Sequence, residues 1–282
     1  MPAPLSNKRI ALVLGGGGMK GLAHVGVLKV LRSLNIHPSE YIGTSIGSLF
    51  AAMAAGDMSP EDMESIALTT SKNDIIDYNV MGLLRQGTKA RSIYIGKKFH
   101  TFVRRVLPVD RFSELKYPLY INSVNINTGH EIIWGLPGLT DVPIHDCICA
   151  SCAIPGIFPP KKINQYYFSD GGLVDTIPIK IAINHGADVI IAVHLESMTT
   201  FSERNIQDEG LVAMIAQAQS IVSQTFLQHN LSQCDKSNII LIEPEVSHYG
   251  MFDFINGRQM IDEGARAAEQ ILRNHPLLRG KI

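Results

Sequence analysis

A serine enclosed by two glycines is the feature that most constrains how this chain can fold. The segment Gly43-Thr44-Ser45-Ile46-Gly47 follows the apolar pair Tyr41-Ile42 and precedes the apolar run 49–55, which has a helical composition. This pattern predicts a strand, a sharp turn and a helix, with the serine at the apex. The two glycines allow the strand and the helix to pass close together, and the amino end of the helix favours negative charge that develops beside the serine. Alone, the motif is a modest signal for a nucleophile, because glycine and serine are common residues.

A glycine-rich loop lies one strand earlier. The apolar run 8–14 is typical of a buried strand and ends in Gly15 to Gly18, which are followed by Met19, Lys20 and Gly21. Helical spacing of apolar residues begins at Leu22. The loop therefore joins a strand to the start of a helix, where unpaired backbone amides collect.

Two nucleotide-binding interpretations of this loop fit poorly. Gly16, Gly18 and Gly21 match the dinucleotide pattern G-x-G-x-x-G, but that pattern needs an acidic residue at the end of the second strand, and Glu40 comes before that strand. A phosphate-binding loop needs Gly-Lys-Ser/Thr, whereas this chain has Lys20 followed by glycine.

The third interpretation is an oxyanion hole, in which backbone amides hold the oxygen of an acyl group under attack. A right-handed crossover makes the first two strands neighbours, so the glycine loop and the Ser45 turn open at the same edge of the sheet. Two glycine-bearing turns at adjacent strand ends, one of them with a serine, favour an acyl-transfer site.

The proton acceptor for Ser45 stays open at this level. Asp170 lies in a glycine-bearing turn with Gly171 and Gly172, after the aromatic run 166–168, and either serves as a base or is a solvated turn carboxylate. A Ser–Asp–His triad with Asp170 and either His185 or His194 is the alternative. His185 is predicted at a helix end and His194 in an apolar strand, so both also fit structural roles.

Composition excludes several functional classes. The chain has 282 residues, 45 % hydrophobic residues and a formal net charge of −1, which argues against a general nucleic-acid-binding protein. Residues 1–9 do not resemble a secretion signal, and no apolar run approaches 18 residues, so we expect a cytoplasmic protein without a transmembrane helix. Three of the four cysteines, Cys147, Cys149 and Cys152, are crowded together while Cys234 is distant, which favours buried thiols over a zinc site.

Strands alternate with helices along the whole chain. Further strands are expected at 119–125, 131–134, 188–195 and 238–242, and further helices at 143–153, 177–185, 209–231 and 256–273, with a polar linker at 197–208. This order predicts an α/β fold with a mostly parallel central sheet between two helical layers, in one domain that spans 1–282.

Residues 74–116 form a mixed stretch that interrupts this alternation. Nine Lys or Arg residues lie between Arg85 and Lys116, against Asp110 and Glu114. One interpretation is a mobile cap with a basic face toward anionic lipid head groups, and the other is a pair of ordinary helices with solvated outer faces. The second is favoured, because basic amphipathic helices are common.

Taken in order, the motifs resemble the patatin-like phospholipase family. They are residues 16–21 (Gly-Gly-Gly-Met-Lys-Gly), 43–47 (Gly-Thr-Ser-Ile-Gly), 153–160 (Ala-Ile-Pro-Gly-Ile-Phe-Pro-Pro) and 170–172 (Asp-Gly-Gly). The motif-bearing part covers about 8–195, and the chain is similar to the short bacterial-type members.

The resemblance implies a lipid acyl hydrolase with a serine–aspartate dyad and no catalytic histidine. Ser45 is then the nucleophile and Asp170 the base. The oxyanion hole is formed by the amides of Gly16, Gly17, Gly18 and Met19. The supporting motif residues are Lys20, Gly21, Gly43, Gly47, Gly171 and Gly172.

The resemblance further implies a phospholipid, lysophospholipid or other fatty-acyl ester as substrate, with no metal and no cofactor. Peripheral contact with a membrane is expected from the substrate class. Two alternatives stay open: a histidine-dependent α/β-hydrolase, and a non-catalytic nucleotide- or phosphate-binding module. The first is weakened because only one strand and one helix precede the Ser45 turn, whereas that fold places several strands first.

Overall fold

The fold alternates strands and helices around one central sheet, as the sequence predicts. The computed structural model describes residues 8–195, 211–233 and 236–278. The strands in these ranges are β1 (Ile10–Leu14), β2 (Glu40–Gly43), β3 (Leu119–Asn125), β4 (His130–Trp134), β5 (Lys161–Ile163), β6 (Tyr166–Asp170), β7 (Val189–Val193) and β8 (Ile239–Ile242). The α-helices are α1 (Ala23–Ser33), α2 (Ile46–Ala55), α3 (Pro60–Thr69), α4 (Lys72–Ile75), α5 (Val80–Gln86), α6 (Lys97–Val106), α7 (Ile144–Ser151), α8 (Ile179–Asn184), α9 (Leu211–Gln233) and α10 (Gly257–Leu272).

The sheet is mostly parallel. Strands β3, β2, β1, β7 and β8 follow one another in that order, and each neighbouring pair is parallel. Strands β4 and β6 both pair antiparallel with β3, and β5 pairs antiparallel with β6. The predicted neighbourhood of the first two strands is confirmed, because Leu14 at the end of β1 pairs with Gly43 at the end of β2.

Apolar cores cover both faces of the sheet. Alternate residues of β1 belong to different cores, with Leu12 in the one packed against α1, α2 and α10 and Val13 in the one packed against α8 and α9. This alternation follows from the two-residue repeat of a strand. The predicted α/β fold with three layers is therefore confirmed.

The element bounds agree closely with the expectations. The predicted helix 209–231 is α9, and the predicted hairpin of β3 and β4 pairs antiparallel. The linker 197–208 and Cys234 lie outside the described residues. That the chain forms one domain over 1–282 stays a prediction.

The stretch 74–116 forms two different kinds of helix. Helix α6 buries one face through Phe99, Phe102 and Val103, as an ordinary amphipathic helix does. Helix α5 buries none of its residues. No helix in the described part of the chain is both long and apolar enough to cross a membrane.

Candidate active site

Ser45 occupies the sharp turn between β2 and α2. Its backbone has φ 51° and ψ −130°, and a serine rarely adopts such a positive φ. Ser45 is only 7 % exposed. A Cβ on Gly47 would lie 2.1 Å from the carbonyl oxygen of Leu14, and one on Gly43 would lie 2.4 Å from Ser48 Cα. Both glycines are therefore required by close approach, and the turn holds the serine at the amino end of α2.

Three polar side chains fix this turn. The backbone amide of Ser45 donates to Ser151 Oγ at 2.8 Å, and Ser48 Oγ donates to the carbonyl oxygen of Ser45 at 2.6 Å. Thr44 Oγ1 donates to Asn122 Oδ1 at 2.7 Å. All of these side chains are fully or almost fully buried, so each hydrogen bond lies in a low-dielectric setting where losing it is costly.

Ser45 and Asp170 are in direct contact. Ser45 Oγ donates to Asp170 Oδ2 at 2.7 Å, while the backbone amide of Gly172 donates to Asp170 Oδ1 at 2.7 Å. Asp170 is the last residue of β6, pairs with Ser123 of β3 and is 1 % exposed. The sheet therefore delivers a buried carboxylate to the serine, and the Gly172 amide holds its second oxygen in place.

The glycine loop lies beside the turn, with two of its four predicted amides unoccupied. The amide of Gly16 donates to the carbonyl oxygen of Thr176 at 3.2 Å, and the amide of Met19 donates to that of Met251 at 2.8 Å. Within the described residues, no acceptor is recorded for the amides of Gly17 and Gly18, which have φ 154° and φ 60°. The structure thus narrows the available donors to Gly17 and Gly18.

His24 supports the loop from the first turn of α1. Its Nε2 lies 2.9 Å from the carbonyl oxygen of Gly15, and the side chain is fully buried. Burial lowers the pKa of His24 to about 4, against a smaller raising effect of the Gly15 hydrogen bond. A neutral imidazole therefore donates to Gly15 at neutral pH. This role could not be predicted from the sequence, because a histidine in an apolar helix is usually a packing residue.

The remaining motif residues pack around the same turn. Lys20 and Gly21 lie in the short 3-10 turn Gly18–Leu22, where Lys20 is half-buried. A Cβ on Gly21 would lie 2.6 Å from Ile46 Cγ2, so the loop sits directly against the start of α2. A Cβ on Gly171 would lie 2.3 Å from Asn122 Oδ1, so the Asp170 turn packs directly against β3.

The histidines of the alternative triad lie with other partners. His185 Nδ1 is 3.1 Å from Glu40 Oε2, and its ring packs on Tyr120. His194 Nδ1 is 3.1 Å from Glu243 Oε1. Among the described residues, no histidine lines the cavity at Ser45.

The cavity that reaches Ser45 is apolar and small. It has a volume of about 50 Å³, and half of its lining residues are Ile75, Phe99, Ile154, Phe158, Phe252 and Phe254. A second apolar cavity of about 40 Å³ adjoins it and is lined by α2, α3 and Phe102 of α6. Gly18, Met19, Ile46 and Ile75 line both cavities, so the side chains of Met19, Ile46 and Ile75 form the partition between them.

A second buried carboxylate lies behind the turn. Asp175 Oδ2 accepts from Asn230 Nδ2 of α9 at 3.0 Å, and Oδ1 accepts from the amide of Ile177 at 3.0 Å. Its backbone carbonyl oxygen accepts from Asn122 Nδ2 at 2.9 Å and lies 3.2 Å from Thr44 Oγ1. Burial raises the pKa of Asp175 to about 7, with the Ile177 hydrogen bond opposing the shift.

One cluster in the described part of the chain has the residue types of a metal site. One ligand atom each from His100, His145 and Asp146 lies within 4.8 Å of the others, and Asp110 accepts from His145 Nδ1 at 2.7 Å. The Asp146 oxygen already contacts the ammonium group of Lys161. A cation at this place would have to displace that lysine, so the cluster is an ion-pair network that joins α6 to α7.

The chain matches a family model and a set of relatives. The model described as patatin-like phospholipase matches residues 12–183. An uncharacterized NTE family protein of Mycobacterium tuberculosis is 27 % identical over 226 residues, which cover 76 % of this chain and 60 % of the relative. The lysophospholipase NTE1 of Candida albicans is 29 % identical over 211 residues, 72 % of this chain, but only 14 % of the relative.

A solved structure has the same fold. The protein VipD from Legionella pneumophila superposes with a TM-score of 0.54 at 14 % identity, over 95 % of this chain and 67 % of that chain. This chain therefore spans three fifths of its mycobacterial relative and about a seventh of its yeast relative.

Proposed function

This chain belongs to the patatin-like phospholipase family, and on that premise we propose that it is a serine-dependent lipid acyl hydrolase. The observation that carries the proposal is the 2.7 Å hydrogen bond from Ser45 Oγ to Asp170 Oδ2 on a backbone with positive φ. A nucleophilic serine needs an adjacent proton acceptor, and the carboxylate occupies that place.

In the first step, Ser45 Oγ attacks the carbonyl carbon of the ester while its proton passes to Asp170 Oδ2. The negative charge that develops on the acyl oxygen is held by the amides of Gly17 and Gly18 and by the amino end of α2. One well-placed amide donor is worth about 3 kcal/mol in such a site. Protonated Asp170 then donates to the leaving alkoxide oxygen, which leaves an acyl group on Ser45.

In the second step, a water molecule gives its proton to Asp170 and attacks the acyl-enzyme carbonyl. The same two amides hold the oxyanion again. Ser45 Oγ leaves with the proton from Asp170, and the fatty acid is released. The Gly172 amide keeps the carboxylate oriented through both steps.

The wall of the cavity supports a fatty-acyl substrate. Ser45 opens onto aromatic and aliphatic side chains, and a second apolar cavity continues past Met19 and Ile46. Such a wall favours a hydrocarbon chain over a phosphate or a nucleotide. The substrate class is therefore a phospholipid, a lysophospholipid or another fatty-acyl ester, and neither a metal nor a cofactor enters the mechanism.

The two alternatives have less support. A histidine-dependent hydrolase needs an imidazole at Ser45 Oγ, but His185 and His194 lie against Glu40 and Glu243. A phosphate-binding loop needs several free amides, and Gly16 and Met19 already donate to carbonyl oxygens.

Labelling with a fluorophosphonate probe tests the proposal. We expect the wild-type protein to be modified at Ser45, read by mass spectrometry of the digested adduct, and Ser45→Ala to stay unmodified. Folded wild-type protein that is not modified would refute the proposed hydrolase and favour a binding module. A cytoplasmic location stays a prediction from the sequence.

A further inference from the structure

An exposed apolar surface lies around helix α5, next to the wall of the Ser45 cavity. Six large apolar side chains in this segment are more than 40 % exposed. We call them the α5 surface: Tyr78, Val80, Met81, Leu83, Leu84 and Ile95. Leu84 and Met81 are exposed the most, at 76 % and 57 %. A concentration of exposed apolar side chains of this kind marks an interaction site.

The α5 surface is connected to the cavity through aromatic side chains. The ring of Tyr78 lies 5.4 Å from that of Tyr94, which is buried. The Tyr94 ring lies 5.4 Å from that of Phe158 and 5.5 Å from that of Phe252, and both phenylalanines line the Ser45 cavity. The backbone amides of Ile93 and Tyr94 also donate to the carbonyl oxygens of residues 156 and 157. A ligand or membrane bound at the α5 surface would therefore lie beside the Ser45 cavity.

The charged residues of the segment that follows Asp77 are basic. No acidic residue stands between Asp77 and Asp110, whereas seven Lys or Arg residues do, and all seven are exposed. Arg85, Lys89 and Arg91 directly follow the apolar residues of α5. Within the described part of the chain, none of the seven forms a salt bridge.

We propose that the α5 surface docks on an anionic lipid bilayer, with its apolar side chains in the acyl boundary and the lysines and arginines on the head groups. Exposed apolar residues rimmed by basic ones are the composition that binds such an interface. A second copy of the chain fits worse, because a symmetric contact through this surface would bring two positively charged segments together. Docking places the cavity mouth at the source of the lipid substrate. This last consequence rests on the proposed function, but the docking itself does not.

Vesicle binding measures the docking without turnover. In the Ser45→Ala background, we expect sedimentation with vesicles of phosphatidylcholine and phosphatidylglycerol, and much weaker binding to phosphatidylcholine alone. Leu84→Asp and Met81→Asp should each lower the affinity for the mixed vesicles at least about tenfold. Replacing Arg85, Lys89 and Arg91 by Gln should lower it by roughly fivefold per charge, and added salt should weaken binding of the parent protein.

Ile221→Asp is the matched control, because Ile221 is 50 % exposed on α9, which packs on the other face of the sheet. It should bind the mixed vesicles like the parent. Equal binding by Leu84→Asp and Ile221→Asp, or no preference for phosphatidylglycerol, overturns the proposal. A dimer of the parent protein in analytical ultracentrifugation that Leu84→Asp abolishes also overturns it, in favour of a contact between copies.

Turnover separates this proposal from the proposed function. With Ser45 intact, Leu84→Asp should lower the ratio of vesicle-lipid hydrolysis to p-nitrophenyl butyrate hydrolysis at least about tenfold, because the soluble ester needs no docking. Absent hydrolysis of both substrates in every variant refutes the hydrolase, while the vesicle-binding result in the Ser45→Ala background still decides the docking.

Discussion

Ser45 Oγ and Asp170 Oδ2 lie 2.7 Å apart although 125 positions separate them in the chain. Ser45 ends the turn after β2, and Asp170 ends β6, and both strands pair with β3. The contact therefore depends on β3, whose first residues pair with β2 and whose later residues pair with β6. The two side chains are therefore held as rigidly as the sheet that carries them.

Asp170→Asn should lower kcat/KM for a chromogenic fatty ester about a thousandfold or more. Asparagine keeps the size of the side chain and an oxygen for the Gly172 amide, but it cannot accept the serine proton as a base. Ser45→Ala should have an effect of the same order. The double variant should be scarcely worse than either single one, because the two residues act as a unit.

His185→Asn and His194→Asn are the controls for this prediction. Each removes an imidazole whose partner is a glutamate remote from the Ser45 contact, so turnover should stay within a few-fold of the wild type. A thousandfold loss in either variant, with unfolding free energy unchanged, contradicts the dyad and restores the triad.

Gly18→Ala should slow the reaction of Ser45 with a fluorophosphonate about a hundredfold. The new methyl group would lie 2.5 Å from the carbonyl oxygen of Met251 on a backbone with φ 60°, so the loop has to move. Moving it displaces an amide that we propose holds the oxyanion, and losing such a donor costs on the order of a hundredfold in rate. The rate of labelling, measured by gel fluorescence, checks this.

Gly186→Ala is the matched control for backbone strain. Gly186 has φ 72°, and a methyl group there meets no atom within 4 Å. Both variants should lose about 1–2 kcal/mol of unfolding free energy from the left-handed backbone, but only Gly18→Ala should be labelled more slowly. Equal labelling rates in the two variants would show that the Gly18 amide takes no part.

The sequence predicts those parts of the site that are marked by a pattern of a few consecutive residues. Ser45 and Asp170 each lie in a turn whose glycines are needed for conformation or close approach, and such turns leave a pattern in a few consecutive residues. The order of strands and helices then brings both turns to one edge of the sheet. The fold class and the contact between Ser45 and Asp170 could therefore be predicted together.

The supporting residues could not be predicted, because their roles arise from packing between distant segments. Asn122 stands in an apolar strand, and Ser151 stands among cysteines, so neither pattern points to the Ser45 turn. Met251 belongs to the loop before α10, yet its carbonyl oxygen accepts a hydrogen bond from the Met19 amide. This contact explains why the predicted set of four amides narrows to Gly17 and Gly18.

Ala67→Phe should shorten the acyl chain that the protein accepts. Ala67 lies on α3 and lines only the second apolar cavity, so the larger ring fills that cavity and leaves the one at Ser45 unchanged. A long chain that passes Met19 and Ile46 would meet the ring, whereas a short chain would not. We expect kcat/KM for a palmitoyl ester to fall about tenfold relative to a butyryl ester, measured on the same preparation.

Leu68→Phe tests whether any added ring on α3 has this effect. Leu68 is the next residue of the helix, is 40 % exposed and lines neither cavity. Its ratio of palmitoyl to butyryl turnover should equal that of the wild type. If Ala67→Phe also had the wild-type ratio of palmitoyl to butyryl turnover, the acyl chain would not enter the second apolar cavity.

His24 and Asp175 should give the unfolding free energy two opposing pH dependences. The pKa of His24 is lowered to about 4 in the folded protein, so the stability that its neutral form provides is present above pH 6.5 and is lost as the pH falls. The pKa of Asp175 is raised to about 7, so its contribution is present below the unfolded value of 3.8 and is lost as the pH rises. Shifts of this size correspond to at most about 3–4 kcal/mol each.

Single variants separate the two contributions between pH 4 and pH 7. The wild type loses the His24 contribution as the pH falls, whereas His24→Gln has none to lose, so the stability of this variant relative to the wild type should increase as the pH falls. The wild type gains the Asp175 contribution as the pH falls, whereas Asp175→Asn does not, so the stability of this variant relative to the wild type should decrease over the same range. Urea unfolding at several pH values measures both, and taking differences between variants removes the contribution of all other carboxylates. Parallel profiles of the two variants would mean that neither group titrates with folding, because their slopes must have opposite signs if burial shifts both pKa values as described.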